Sequence, residues 1–164
     1  MRYLVTGASS GIGLAVARML LERGAHVVGL SRTAGPAVDH GGYRHVAVDL
    51  ADLEAVRAVS RELSRQEPWA GAVFNAGAGR FGGLEEFGHD DITGLVDLNL
   101  SSVLLLARTL VPVLKRAGRG DLIFIGSEVA LSGGRYGAVY AATKAGIAGF
   151  ARALRIECAG SGVR

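Results

Sequence analysis

Tyr140 and Lys144 stand four residues apart in the stretch YAATK, and Lys144 is one of only two lysines in a chain that otherwise takes its positive charge from arginine. On a helix that spacing puts both side chains on one face. An ammonium held beside a phenol lowers the phenol's pKa, which makes it a better proton donor or acceptor near neutral pH. Ser127 precedes Tyr140 by 140 − 127 = 13 residues and closes an apolar run, Leu122 to Ile125. A hydroxyl at the C-terminal edge of a sheet can hydrogen-bond a substrate oxygen as charge develops on it. Taken alone, a Tyr/Lys pair at this spacing is equally compatible with simple packing, so the elements that carry it must decide.

Short apolar runs alternate with stretches of helical period. Tyr3-Leu4-Val5, His26 to Leu30, part of Tyr43 to Val48, Ala72-Val73-Phe74 and Leu122 to Ile125 read as strands. Ile12 to Arg23, Asp52 to Arg65, Ile92 to Lys115 and Tyr140 to Cys158 read as helices, with Gly24 as a C-terminal stop and Asp52 as an N-cap. Pro112 is expected to bend or interrupt the third of these. Thr33 to Gly42 has the composition of a surface loop. Strands apolar on both faces and separated by helices imply a doubly wound α/β domain with a mainly parallel sheet, spanning 1–164 as one unit.

Between the first strand and first helix lies Thr6-Gly7-Ala8-Ser9-Ser10-Gly11-Ile12-Gly13, with the spacing G-x-x-x-G-x-G. Such a turn is either a tight strand-to-helix connection or a cradle for a pyrophosphate at a helix N-terminus, and its place after the first strand favours the cradle. On that reading Gly7, Ser9, Ser10, Gly11, Ile12 and Gly13 approach a dinucleotide. In Rossmann units an acid about 20 residues past the glycines holds the adenosine ribose, whereas an arginine suits a 2′-phosphate. The second strand instead ends in Ser31-Arg32, which favours NADP(H) over NAD(H) unless Arg32 is an ordinary loop arginine.

Composition closes off other classes. The chain has 164 residues, 49% hydrophobic and 20% charged, with a net charge of +3. Its arginines are scattered rather than interleaved with aromatics, so nucleic acid is not an expected partner. His26, His40, His45 and His89 lack metal-ligand spacing, and each is expected to be structural or exposed. The one cysteine, Cys158, excludes a disulfide framework, reads as packed, and fits a reducing cytoplasm. No signal peptide is expected from MRYLVTGASSG, and Leu98 to Leu114 reads as too polar for a membrane span.

In order along the chain, TGASSGIG at 6–13, Asp49, Asn75-Ala76-Gly77, Asn99, Ser127 and YAATK at 140–144 resemble the motifs of the short-chain dehydrogenase/reductase family. The resemblance implies hydride transfer between a nicotinamide cofactor and a carbonyl or alcohol. Tyr140 would be the acid/base, Ser127 would hold the substrate oxygen, and Lys144 would tune Tyr140 and bind the nicotinamide ribose. Asn99 would help order a water-linked proton relay. Asp49 and Leu50 would meet the adenine, Asn75, Ala76 and Gly77 would line the cleft, and Arg80, just beyond, would face cofactor or solvent. Asp49, Asn75-Ala76-Gly77 and Asn99 each also admit a plain reading, as a helix N-cap or turn, a turn, and packing or helix-surface polarity. Tyr136 reads as a loop or substrate-side residue. A homodimer or homotetramer through the helix from Ile92 and the helix of Lys144 is expected. The resemblance further implies that a sixth strand and the segments beyond it lie outside these 164 residues, leaving the fifth strand with an uncovered edge. The alternative is a truncated, catalytically silent nucleotide-binding or structural fragment.

Overall fold

The computed structural model describes residues 1–35, 40–66 and 68–164. The part of the Thr33 to Gly42 loop at 36–39 lies outside the described residues. Five parallel strands, β1 (Arg2–Thr6), β2 (His26–Ser31), β3 (Tyr43–Ala47), β4 (Gly71–Phe74) and β5 (Asp121–Phe124), form one sheet in the order β3-β2-β1-β4-β5. The chain winds outward from β1 to β3 and then crosses to β4 on the other side. This reversal opens a crevice between the C-terminal ends of β1 and β4, where open α/β sheets bind ligands.

Alternation along the strands sends side chains into two separate cores. Leu4, Val28, Ala72 and Phe74 pack on the face covered by α2 (Leu53–Leu63), α4 (Ser102–Ala117) and α6 (Ala138–Glu157). Val5, Val27 and Val73 pack on the opposite face with Ala17 and Leu21 of α1 (Gly11–Glu22). The first core is the larger and is tightened by Phe74 stacked on Phe124, with Phe150 edge-on to the latter. Trp69 closes its lower end, its Nε1 donating to the Leu63 carbonyl at 3.0 Å.

The long helical stretch departs from expectation in two ways. Pro112 does not interrupt it, for α4 runs through Pro112 to Ala117. The irregularity lies upstream, where α3 (His89–Val96) passes into α4 through a π-helical turn at Asp97–Ser101. By length and composition alone, His89–Ala117 is long and apolar enough to cross a membrane, contrary to the sequence reading. Its placement marks it as a core helix: Val103, Leu106, Ala107, Leu110, Val113 and Leu114 of α4 are buried in the first core. A short helix, α5 (Val129–Ser132), and a 3₁₀ turn at Leu84–Glu86 had no periodic signal.

The outer edge of β5 is partly paired. Gly162–Arg164 lie parallel to its start, with the Arg164 N–H donating to Gly120 and the Leu122 N–H to Arg164, both at 2.8 Å. Gly162 has φ +77°, and a Cβ there would meet the Gly118 carbonyl oxygen at 1.9 Å. Only glycine fits that crossing.

Asp52 caps α2 as expected, its Oδ1 accepting from the N–H groups of Glu54 and Ala55 at 3.0 Å. Asp52→Ala is expected to cost about 1 kcal/mol, read as a lower urea midpoint at unchanged m-value. An unchanged midpoint would show that packing alone holds the helix.

Candidate functional site

Thr6, 1% exposed at the end of β1, ties the glycine turn to the turn after β4. Its Oγ1 accepts from the N–H groups of Asn75 and Ala76, each at 2.9 Å, and Asn75 Nδ2 returns a bond to the Thr6 carbonyl at 3.1 Å. Two turns on adjacent strands thereby become one rigid edge. Gly7 has φ +67°, and a Cβ on Gly13 would lie 2.2 Å from the Gly7 oxygen, so α1 starts in direct contact with the turn. Ser10 is the N-cap of α1 but makes no side-chain capping bond. The first-turn N–H groups, which carry the positive end of the helix dipole, are thus left at the crevice.

The crevice is a cleft of about 810 Å³. The sequence-predicted residues Gly7, Ser9, Ser10, Gly11, Ile12, Ser31, Arg32, Asp49, Leu50, Asn75, Ala76 and Gly77 all line it. Gly13 lies beneath it as a packing glycine. Leu30, Thr33, Val48, Ala51, Ala78 and Leu98 also line it; each flanks a predicted residue, Leu98 beside Asn99 in the π turn. Asp49 is exposed, with Oδ1 accepting from Ala51 N–H at 2.9 Å, so it does serve a turn. Arg32 is exposed, and its guanidinium meets no hydrogen-bonding or acidic partner among the described residues. Behind it Ser31 Oγ donates to the Thr33 carbonyl at 2.8 Å, and His45 Nε2 lies 3.1 Å from both Ser31 Oγ and the Ser31 carbonyl oxygen. His45 therefore braces the loop that carries Arg32, a role its sequence context did not signal.

This donor set fits a dinucleotide. A glycine edge admits close backbone approach, a helix N-terminus favours phosphate, and Arg32, without a partner among the described residues, lines the same cleft.

Asn99 joins the cleft to α6. It is 1% exposed in the π turn; its Oδ1 accepts from Ala78 N–H at 2.9 Å, while Nδ2 donates to the Ala78 carbonyl at 2.9 Å and to Thr143 Oγ1 at 3.2 Å. The side-chain amide thus acts as a clamp rather than as surface polarity. Beside Thr143, Lys144 is 5% exposed, its Nζ donating to the Ile125 carbonyl at 2.9 Å and lying 5.9 Å from the Tyr140 ring centre. Burial holds its pKa below the ordinary lysine value. A Cβ on Gly77 would stand 3.1 Å from Asn99 Oδ1 and 3.5 Å from Lys144 Nζ, so the Asn75-Ala76-Gly77 turn passes directly beside the ammonium.

Tyr140 is half-buried, with Phe81 edge-on at 5.9 Å between ring centres. Phe81 was not singled out in the sequence because nothing local marks it. Tyr136, non-glycine at φ 60°, accepts from Gly82 N–H at 2.8 Å, which joins the loop of Phe81 to the segment leading into α6. Ser127 is half-buried three residues beyond β5, at the expected edge. Among the described residues no hydrogen bond joins its Oγ to the Tyr140 hydroxyl. Arg80 faces neither the cleft nor open solvent alone: it bonds Asp91, and its guanidinium carbon sits 5.1 Å from the Phe87 ring centre. Cys158 is 2% exposed in the first core.

The sequence profile of the short chain dehydrogenases matches residues 2–164. The chain is 32% identical to the 3-oxoacyl-(acyl-carrier-protein) reductase FabG of Vibrio harveyi over 98% of its own length and 68% of that protein's. It is 34% identical to a 3-ketodihydrosphingosine reductase of Bacteroides thetaiotaomicron, covering 94% of itself and 57% of that protein. Among solved structures, a putative NAD(P) dependent gluconate 5-dehydrogenase from Beutenbergia cavernae with bound NADP superposes with a TM-score of 0.92 at 36% identity, over 99% of this chain and 68% of the other. A metagenomic short-chain oxidoreductase in complex with NADP gives 0.93 at 33% identity, over 100% and 78%.

Asn99→Ala would remove the side-chain partner of both backbone polar groups of Ala78, which is itself exposed. The expected cost is about 1–2 kcal/mol, read by urea unfolding, together with faster amide exchange at Ala78. Unchanged exchange at Ala78 would show that the turn is held without the clamp.

Proposed function

The chain belongs to the short-chain dehydrogenase family, and from that premise we propose that it is an NADP(H)-dependent oxidoreductase interconverting a carbonyl and an alcohol, with Tyr140 as acid/base. The observation that carries this reading is the buried ammonium of Lys144, held between the Ile125 carbonyl, the Tyr140 ring and Gly77 at the margin of the cleft. A charge that costs free energy to bury is kept where it has work to do on a neighbouring group. The bound nicotinamide would supply hydride donor and acceptor chemistry.

The glycine turn and the N–H groups of α1 would hold the pyrophosphate, Arg32 the 2′-phosphate, and Asp49 with Leu50 the adenine. Asn75, Ala76 and Gly77 would line the path toward Tyr140. In reduction the Tyr140 hydroxyl gives its proton to the substrate oxygen, and in oxidation the Tyr140 oxygen takes one back. Lys144 favours negative charge on that oxygen and binds the ribose. Ser127 donates to the substrate oxygen, and the main chain at Asn99 orders a water-linked relay. A π turn there supports the last role, since such turns gather at functional sites. Phe81 and Tyr136, both exposed and joined through their loops, wall the substrate side.

A small-molecule partner, a reducing cytoplasm suited to the unpaired Cys158, and assembly into a homodimer or homotetramer through α4 and α6 complete the reading.

Tyr140→Phe is expected to lower turnover of NADPH with a ketone or aldehyde panel by about 10²–10⁴-fold while calorimetry shows unchanged cofactor affinity. Turnover equal to that of the unaltered protein would remove Tyr140 from the chemistry, and cofactor binding without turnover in the unaltered protein would favour a silent binding module. Arg32→Asp should move the ratio of NADPH to NADH affinity by about tenfold or more toward NADH; an unchanged ratio would take Arg32 out of the site.

A further inference from the structure

Ser31, 6% exposed, is the last residue of β2 and sets the direction in which Arg32 leaves the sheet. Its Oγ gives its one hydrogen to the Thr33 carbonyl at 2.8 Å, so toward His45 it can only accept. The Ser31 carbonyl oxygen is an acceptor too. His45 Nε2, 3.1 Å from both oxygens, therefore carries the hydrogen and shares it between them. That carbonyl takes a second bond from Val48 N–H at 3.1 Å, which joins the ends of β2 and β3 independently of the imidazole. What His45 adds is a hold on the Ser31 side chain and, through it, on Thr33.

The other end of this loop is fixed by close contact. Gly35 has φ +70°, and a Cβ there would stand 2.3 Å from the Ser9 carbonyl oxygen in the glycine turn. The segment that carries Arg32 is thus tied to the sheet at its start and seated on the glycine turn at Gly35. Between these points Ser31, Arg32 and Thr33 line the cleft, whereas His45 does not. A guanidinium fork matches phosphate oxygens only in the right orientation, and a loop ordered in advance loses less entropy in presenting it. Resting on the reading of the cleft as an NADP(H) site with Arg32 at the 2′-phosphate, we infer that His45 is a positioning residue for cofactor choice. It acts through Ser31 on Arg32 and favours NADPH over NADH without touching either.

The test is calorimetry of the chain with NADPH and with NADH, on H45F, H45Q, R32D and the R32D/H45F double variant. H45F keeps a ring but no donor, and it is expected to weaken NADPH binding about fivefold while NADH affinity stays unchanged. The NADH titration also shows that the cleft is folded. H45Q, whose amide can still donate to Ser31, should recover most of the loss. In the R32D background H45F should leave the ratio of the two affinities where R32D put it, because a residue that acts through Arg32 then has nothing to act on. Equal loss for both cofactors in H45F, NADPH binding by H45Q no tighter than by H45F, or a further shift of the ratio in the double variant would overturn the inference. A ratio moved by R32D but not by H45F removes His45 alone. A ratio moved by neither, or no binding of either cofactor by the unaltered chain, removes the reading beneath it as well.

Discussion

One buried side-chain amide holds the site together. Asn99 bonds both backbone groups of Ala78 and the hydroxyl of Thr143, and a buried amide is tolerable only when its donors and acceptors are met. Meeting them fixes three elements at once: the turn after β4, the π turn, and the N-terminal half of α6. Thr143 Oγ1 in turn donates to the Tyr140 carbonyl at 2.8 Å. The network therefore reaches the backbone of the acid/base residue and the position next to Lys144. Loosening Asn99 would free the margin of the cleft while leaving the sheet intact.

The other half of the cleft is set by steric demand. Thr6 and Asn75 lock the ends of β1 and β4 together, and the glycines at 7 and 13 let helix and turn come closer than any Cβ allows. A rigid edge with exposed N–H groups results, already shaped for an anion. Charge is placed with equal economy. Arg32 stays in water, where its charge costs little, and Lys144 is desolvated, where its proton is held less tightly than an ordinary lysine's.

What local pattern determines could be read from the sequence. The places of the strands along the chain, the cap at Asp52, the glycine edge and the face shared by Tyr140 and Lys144 depend on neighbours a few residues away. Features that arise from packing between distant segments could not be read. α4 is not interrupted at Pro112, because a helix pressed against the sheet by six buried α4 side chains tolerates one missing N–H there, and the π turn upstream had no local signal. His45 beneath Ser31 and Phe81 against Tyr140 are contacts between segments that no periodicity announces. The partial cover on β5 escaped for a related reason. It depends on Gly162 crossing Gly118 at a distance only glycine permits.

The central claim is that the phosphate-binding edge and the Tyr140–Lys144 pair serve one ligand. A crystal structure of the chain with NADP⁺ tests it most directly. The account expects the pyrophosphate at the N-terminus of α1 and the nicotinamide ribose within hydrogen-bond reach of Tyr140 and Lys144. A cofactor bound with its ribose away from both side chains, or none bound at saturating concentration, would contradict it.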